Sequence, residues 1–167
     1  MFKKEIDRLV KIGVLHKINN MKERSEWAFP TFGAPKKLLP GEFVPCMCVV
    51  TDLHELNKRI KRTPHPLPKK QDALLSLEGF MCATSIDLNM GFWTVKSNPN
   101  TSRLCTIVLP WGEHECSCLP MGLSNAPDIF QEGMSELLND LEFVRACIDD
   151  VVAFAKGSWH CLLYTSP

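Results

Sequence analysis

No apolar stretch in the 167 residues is long enough to cross a membrane as a helix, so no membrane partner is expected. No secretory leader is visible either: Met1-Phe2-Lys3-Lys4-Glu5 runs straight into a helical pattern. Eight cysteines are present, yet the C-x-x-C knuckle typical of zinc is missing; Cys46-Met47-Cys48 and Cys116-Ser117-Cys118 are C-x-C pairs. The thiols are therefore expected to be reduced, as in an intracellular, cytoplasmic protein; a zinc-binding interaction module stays open only if they converge in space. Internal repeats and low-complexity tracts are lacking, which argues against a solenoid or a disordered array. The length suits one good core or two small lobes.

Net charge is also lacking, but the zero conceals a division. Residues 1–70 hold 15 Lys/Arg against 7 Asp/Glu, and residues 71–167 hold 4 against 12. A basic half joined to an acidic half suits a partner that is both polyanionic and metal-bridged, although solvated faces could give the same split. Apolar spacing predicts a first helix through Phe2, Ile6, Leu9 and Val10, stopped by Gly13. Trp27 to Phe32 reads as extended, with Pro30 confining it to an edge or irregular strand. Val49-Val50-Thr51 reads as a strand that leads into a helical turn over 52–57. Pro64, Pro66 and Pro68 then enforce an extended connector, the best lobe boundary. Beyond it are expected a short helix from Asp72 to Leu77 closed by Gly79, strands over 81–88 and about 104–109, and a turn through Asn98-Pro99-Asn100. Ser124-Asn125-Ala126-Pro127 starts a helix whose stripe is Phe130, Met134, Leu137, Leu138 and Leu141. The expected class is α+β, with helices packed on one face of an antiparallel sheet.

Two adjacent carboxylates interrupt the apolar run Ala146-Cys147-Ile148-Asp149-Asp150-Val151-Val152. On a half-buried hairpin they would repel and lose hydration unless a cation sat between them. Asp87, closing Ala83-Thr84-Ser85-Ile86, has the same setting. Three carboxylates at the ends of apolar runs read as a magnesium site for phosphate chemistry. A solvated surface turn is the alternative for the Asp-Asp pair.

Taken in order, the segments resemble a known family. Ser25-Glu26-Trp27-Ala28-Phe29-Pro30, Lys36-Lys37, Asp52-Leu53-His54-Glu55-Leu56-Asn57, Pro66-Leu67-Pro68, Ile86-Asp87-Leu88-Asn89-Met90-Gly91-Phe92, Leu119-Pro120-Met121-Gly122-Leu123-Ser124-Asn125-Ala126-Pro127 with Phe130-Gln131, and Cys147-Ile148-Asp149-Asp150 carry the likeness. The series is similar to reverse transcriptases, nearest to those of gypsy-type long-terminal-repeat retrotransposons, over residues 2–158. The resemblance implies a right-hand polymerase fragment: fingers over 1–70, palm over 71–158, a non-family tail over 159–167, and no thumb. It implies RNA-directed nucleotidyl transfer from a dNTP to a primer 3′-end on an RNA or DNA template. Asp87, Asp149 and Asp150 would hold two Mg²⁺ ions, with Leu88 counted beside them. Phe92 falls where the family keeps an aromatic that blocks a ribose 2′-hydroxyl, and Met121 in the segment lining the nucleotide pocket. Lys36 and Lys37 are candidate nucleotide-phosphate contacts, and Lys58, Arg59, Lys61 and Arg62 candidate template contacts. Core packing is the alternative for Phe92 and Met121, and a solvated loop or face for the six basic residues.

Departures from the family run in one chemical direction. Cys48 stands where the family has an arginine on the triphosphate, His54 where it has a second arginine, and Cys147 where it has an aromatic. His114, Cys116 and Cys118 fall where Tyr, Tyr and a basic residue are expected. Each Arg or Tyr to Cys or His is a single-base transition, so a decaying copy is expected, with activity impaired by the lost arginines and by truncation. The N-terminus is expected to be clipped, and the rest of a retroelement polyprotein to be missing. A non-catalytic nucleic-acid-binding remnant is the competing expectation.

Overall fold

The computed structural model describes residues 1–19, 25–35, 47–67 and 79–157. Lys36, Lys37, Pro68, the helix expected over 72–77 and the tail expected over 159–167 lie outside the described residues. In chain order the elements are α1 (Phe2–Lys11), β1 (Leu15–Lys17), β2 (Phe29–Pro35), β3 (Met47–Thr51), α2 (His54–Asn57) and β4 (Cys82–Asp87). A 3-10 turn (Gly91–Thr94) follows, then α3 (Pro99–Leu104), β5 (Thr106–Leu109), β6 (Gly112–Cys116), α4 (Ala126–Leu138), β7 (Val144–Cys147) and β8 (Asp150–Ala155). They form two compact units. One comprises Met1–Lys61 and Phe92–Ala126; the other comprises Arg62–Gly91 and the chain from Pro127 onward. The chain crosses between them after residues 61, 91 and 126.

The first unit is built on a five-stranded sheet in the order β1-β6-β5-β2-β3. Its pairs are antiparallel except β2 with β5. Helix α1 buries Ile6 and Leu9 and turns its charged side outward, where Glu5 and Arg8 pair at 2.6 Å. Gly13, at φ +80°, ends it as expected. Ile6, Leu9, Phe29, Leu53, Ile107 and Leu109 form the centre of the apolar core. Strand β2 lies between two neighbours and is irregular at Pro30, one of the two forms expected there. The ladders are staggered: Phe29 and Pro30 pair with β5, whereas Thr31 to Pro35 pair with β3. Pro30 thus tolerates an interior strand because its two ladders do not overlap at that residue. The turn expected at 98–100 is a helix start: Asn98 Oδ1 accepts from Asn100 N at 3.0 Å, and Pro99 opens α3. That helix holds Leu104, which delays the next strand to Thr106.

The second unit carries a three-stranded antiparallel sheet, β4-β8-β7. Along α4, Phe130, Gln131 and Met134 are buried. Leu137 belongs to the sequence stripe but is 74% exposed, whereas Leu138 beside it is half-buried. The carboxylate of Asp128, in the first turn of α4, accepts from His65 N at 3.0 Å and from Arg62 Nε at 3.2 Å. It thereby pins the start of the proline-rich connector.

Candidate active site

The acidic residues meet through strand register. Asp87, the last residue of β4, lies directly opposite Asp150, the first residue of β8. Directly opposed residues in an antiparallel pair have Cα atoms about 4.5–5.5 Å apart. Asp149 precedes Asp150 in the two-residue turn closed by the Cys147–Asp150 pair. Its carbonyl accepts from Leu88 N at 2.9 Å, which ties the two chain segments together just past the strand ends. Asp87 and Asp150, 63 positions apart in sequence, are thus neighbours, with α4 in the intervening chain.

The turn is strained and held. Ile148 has φ 55°, a left-handed value that a β-branched residue rarely adopts and that hairpin turns of this kind give to glycine. Gln131, 2% exposed on α4, supplies the restraint. Its Oε1 accepts from Ile148 N at 2.7 Å, and its Nε2 donates to Ala146 O at 3.2 Å and to Ser135 Oγ at 3.3 Å. Met90, on the facing segment, also lies in the left-handed region at φ 61°. Two non-glycine outliers therefore bracket the carboxylates.

Electrostatics single out one of the three. Asp149 Oδ1 is buried without a hydrogen-bond partner. Burial pushes its carboxyl above the usual carboxylate range, and the charges of Asp87 and then Asp150 push it further. Asp87 and Asp150 are exposed. Such a group fits a divalent cation, which would satisfy the orphaned oxygen and neutralise the repulsion. Among the described residues, no three His, Cys, Asp or Glu side chains are already arranged around one metal position.

The other expected residues are dispersed. Phe92 packs half-buried against the first unit's core, and Met121, 43% exposed, belongs to that unit too. Asn57 holds the Met121 segment: its Nδ2 donates to Gly122 O at 2.8 Å, and its Oδ1 accepts from Ser124 N at 2.8 Å. Within the basic cluster, Lys58 pairs with Glu55 at 2.7 Å, Arg59 stacks 4.8 Å above Trp27, and Arg62 is bound to Asp128. Lys61 is exposed, and the unit boundary follows it. Cys48 and His54 are exposed, on β3 and α2. The Cys105, Cys116 and Cys118 thiols are buried in the first unit. Burial raises Cys105 to about 11 and Cys116 to about 12, so both stay protonated.

Sequence reasoning gave no role to Gln131, Asn57, Gly91 or Asp128. The one signal for Gln131 was a long polar side chain beside the apolar positions 130 and 134 of an amphipathic helix.

Comparison with known proteins bears on the family and the fold. A family model described as reverse transcriptase (RNA-dependent DNA polymerase) matches residues 34–163. The putative enzymatic polyprotein of Cassava vein mosaic virus is 26% identical over 156 residues, 93% of this chain and 24% of the polyprotein. The enzymatic polyprotein of Figwort mosaic virus is 30% identical over 110 residues, 65% of this chain and 16% of the polyprotein. The protease–reverse transcriptase of prototype foamy virus superposes with a TM-score of 0.72 at 25% identity, over 91% of this chain and 19% of that one. A foamy viral protease–reverse transcriptase in complex with an RNA/DNA hybrid superposes with a TM-score of 0.75 at 22% identity, over 97% of this chain and 20% of that one. The chain spans about a quarter or less of these relatives. The fold is accordingly that of a reverse transcriptase fingers-and-palm fragment, α+β with an antiparallel palm sheet. By the extent of the family match, the chain belongs to the reverse transcriptases.

Proposed function

We propose that this chain acts in RNA-directed DNA synthesis, with Asp87, Asp149 and Asp150 as the ligands of two Mg²⁺ ions. The observation that carries the reading is the register: Asp87 opposite Asp150, with Asp149 tied to Leu88 and one of its oxygens buried without a partner. The family uses divalent metal ions. When bound here, such ions would activate a primer 3′-hydroxyl and stabilise a leaving pyrophosphate. The chain's own residues do the positioning: Gln131 fixes the turn that presents Asp149, and Asn57 fixes the segment bearing Met121. Fingers is the name proposed for the first unit and palm for the second. Phe92 and Met121 are the proposed nucleotide contacts, with Lys36 and Lys37, and Lys61 is the basic residue best placed to track a template. The series of motifs supports a gypsy-type element as the source.

A second reading is favoured by Cys48. A thiol stands on β3 where the resemblance puts an arginine on the triphosphate, and it lacks that fork of donors, which suits a remnant that binds nucleic acid without catalysis. Single-nucleotide extension of a primer on an RNA template, with Mg²⁺ at low salt, separates the two. The polymerase reading expects metal-dependent addition by the parent and none by Asp149→Asn. Salt-sensitive binding with no addition by either chain would instead establish the remnant.

A further inference from the structure

Gly91 is buried, and its φ lies outside the left-handed region, so backbone freedom is not what calls for glycine here. Space is. A Cβ at this position would lie 2.6 Å from Asp149 Oδ1 and 2.8 Å from Phe130 Cζ, closer than real Cβ contacts come. The missing side chain leaves a slot walled by the Phe130 ring, and Asp149 Oδ1 fills it without a hydrogen-bond partner. A carboxylate oxygen held there loses hydration and gains no bond in exchange.

We infer that the Gly91 slot is a parking position for the Asp149 carboxylate, and that Gly91 is the positioning residue that sets how readily this carboxylate swings out to a divalent cation. The inference rests on the metal-binding reading above and deepens it. Parking lowers the repulsion among Asp87, Asp149 and Asp150 while no cation is present. Its consequence is that only the fraction of molecules with the carboxylate swung out is competent to bind, and the apparent affinity falls by that fraction. Filling the slot removes the parked state. The Asp149 oxygen is the free end of a side chain and can move; the Phe130 ring must yield as well.

The test titrates Mn²⁺ into the full chain and follows free Mn²⁺ by electron paramagnetic resonance. It compares the parent, Gly91→Ala, Asp149→Asn, and the double variant Gly91→Ala/Phe130→Leu, which relieves the aromatic clash and keeps the Cβ against Asp149. Both slot-filling variants should bind Mn²⁺ about tenfold more tightly than the parent, the change expected if roughly a tenth of the parent molecules are competent. Without metal they should melt at lower temperature, and Mn²⁺ should restore much of the difference. Parent binding that depends on Asp149, with equal or weaker binding by both variants, overturns the slot and leaves the metal reading intact. Parent binding that is absent, or that survives Asp149→Asn, overturns the metal reading and the slot with it.

Discussion

Gln131 uses both ends of its amide on the turn that presents Asp149, accepting from Ile148 N and donating to Ala146 O. Gln131→Leu keeps the size and strands both backbone groups, so it should cost about 2 kcal/mol, the usual scale for leaving buried polar groups unpaired, measured as a lower urea midpoint. Asp149→Asn should act in the opposite sense on stability. It removes a charge that burial and two neighbouring carboxylates disfavour, so the metal-free chain should melt higher while Mn²⁺ binding is lost. Cys48→Arg should restore a charge-assisted donor fork and lower the KM for dNTP about tenfold, the scale of one hydrogen bond to a charged group. The carboxylates were legible in the sequence because charge inside an apolar run is conspicuous. The role of Gln131 was not, because its partner is a backbone N–H 17 residues away and any side chain can carry that.

Elements show where periodicity succeeds as a guide. Helix α1, strand β4 and the hairpin β7–β8 lie close to where the apolar spacing put them. Leu137 departed because its environment depends on what lies opposite that face of α4, which periodicity does not report. On α4, the His65 backbone N–H, then the Arg62 guanidinium, hold the Asp128 carboxyl below its ordinary 3.8. Its stabilisation is complete above that value and disappears as pH falls through the lower folded-state value. Asp128→Asn should therefore lose stability at pH 7 and converge with the parent under acid, as read by urea midpoints at pH 7 and pH 2. His114 on β6 behaves differently. Burial holds its imidazole below the ordinary 6.5, so the unfolded chain takes up the proton first and stability falls as pH drops below 6.5. His114→Gln should flatten that decline between pH 7 and pH 5, measured in the same way.

At the scale of the molecule, the basic and acidic halves of the sequence do not map onto the two units, since Phe92–Ala126 returns to the first. Nucleic-acid affinity should fall steeply with salt through the residues left unpaired by the fold. Lys61→Ala should reduce the magnitude of the log–log salt slope by about 0.9, whereas Arg62→Ala, whose guanidinium already meets Asp128, should change it little. Titrating a fluorescent primer–template across a salt series distinguishes them. Composition, apolar spacing and the order of motifs were enough to specify an α+β chain of the reverse transcriptase family and to single out Asp87, Asp149 and Asp150 as carboxylates in apolar runs, because local propensity and charge in an apolar context are written residue by residue. Only tertiary structure decided which basic groups are already neutralised, that Gln131 restrains the strained turn, and that Gly91 makes room for a carboxylate. Those outcomes depend on distances between residues far apart along the chain, and the spacing of letters does not encode such distances.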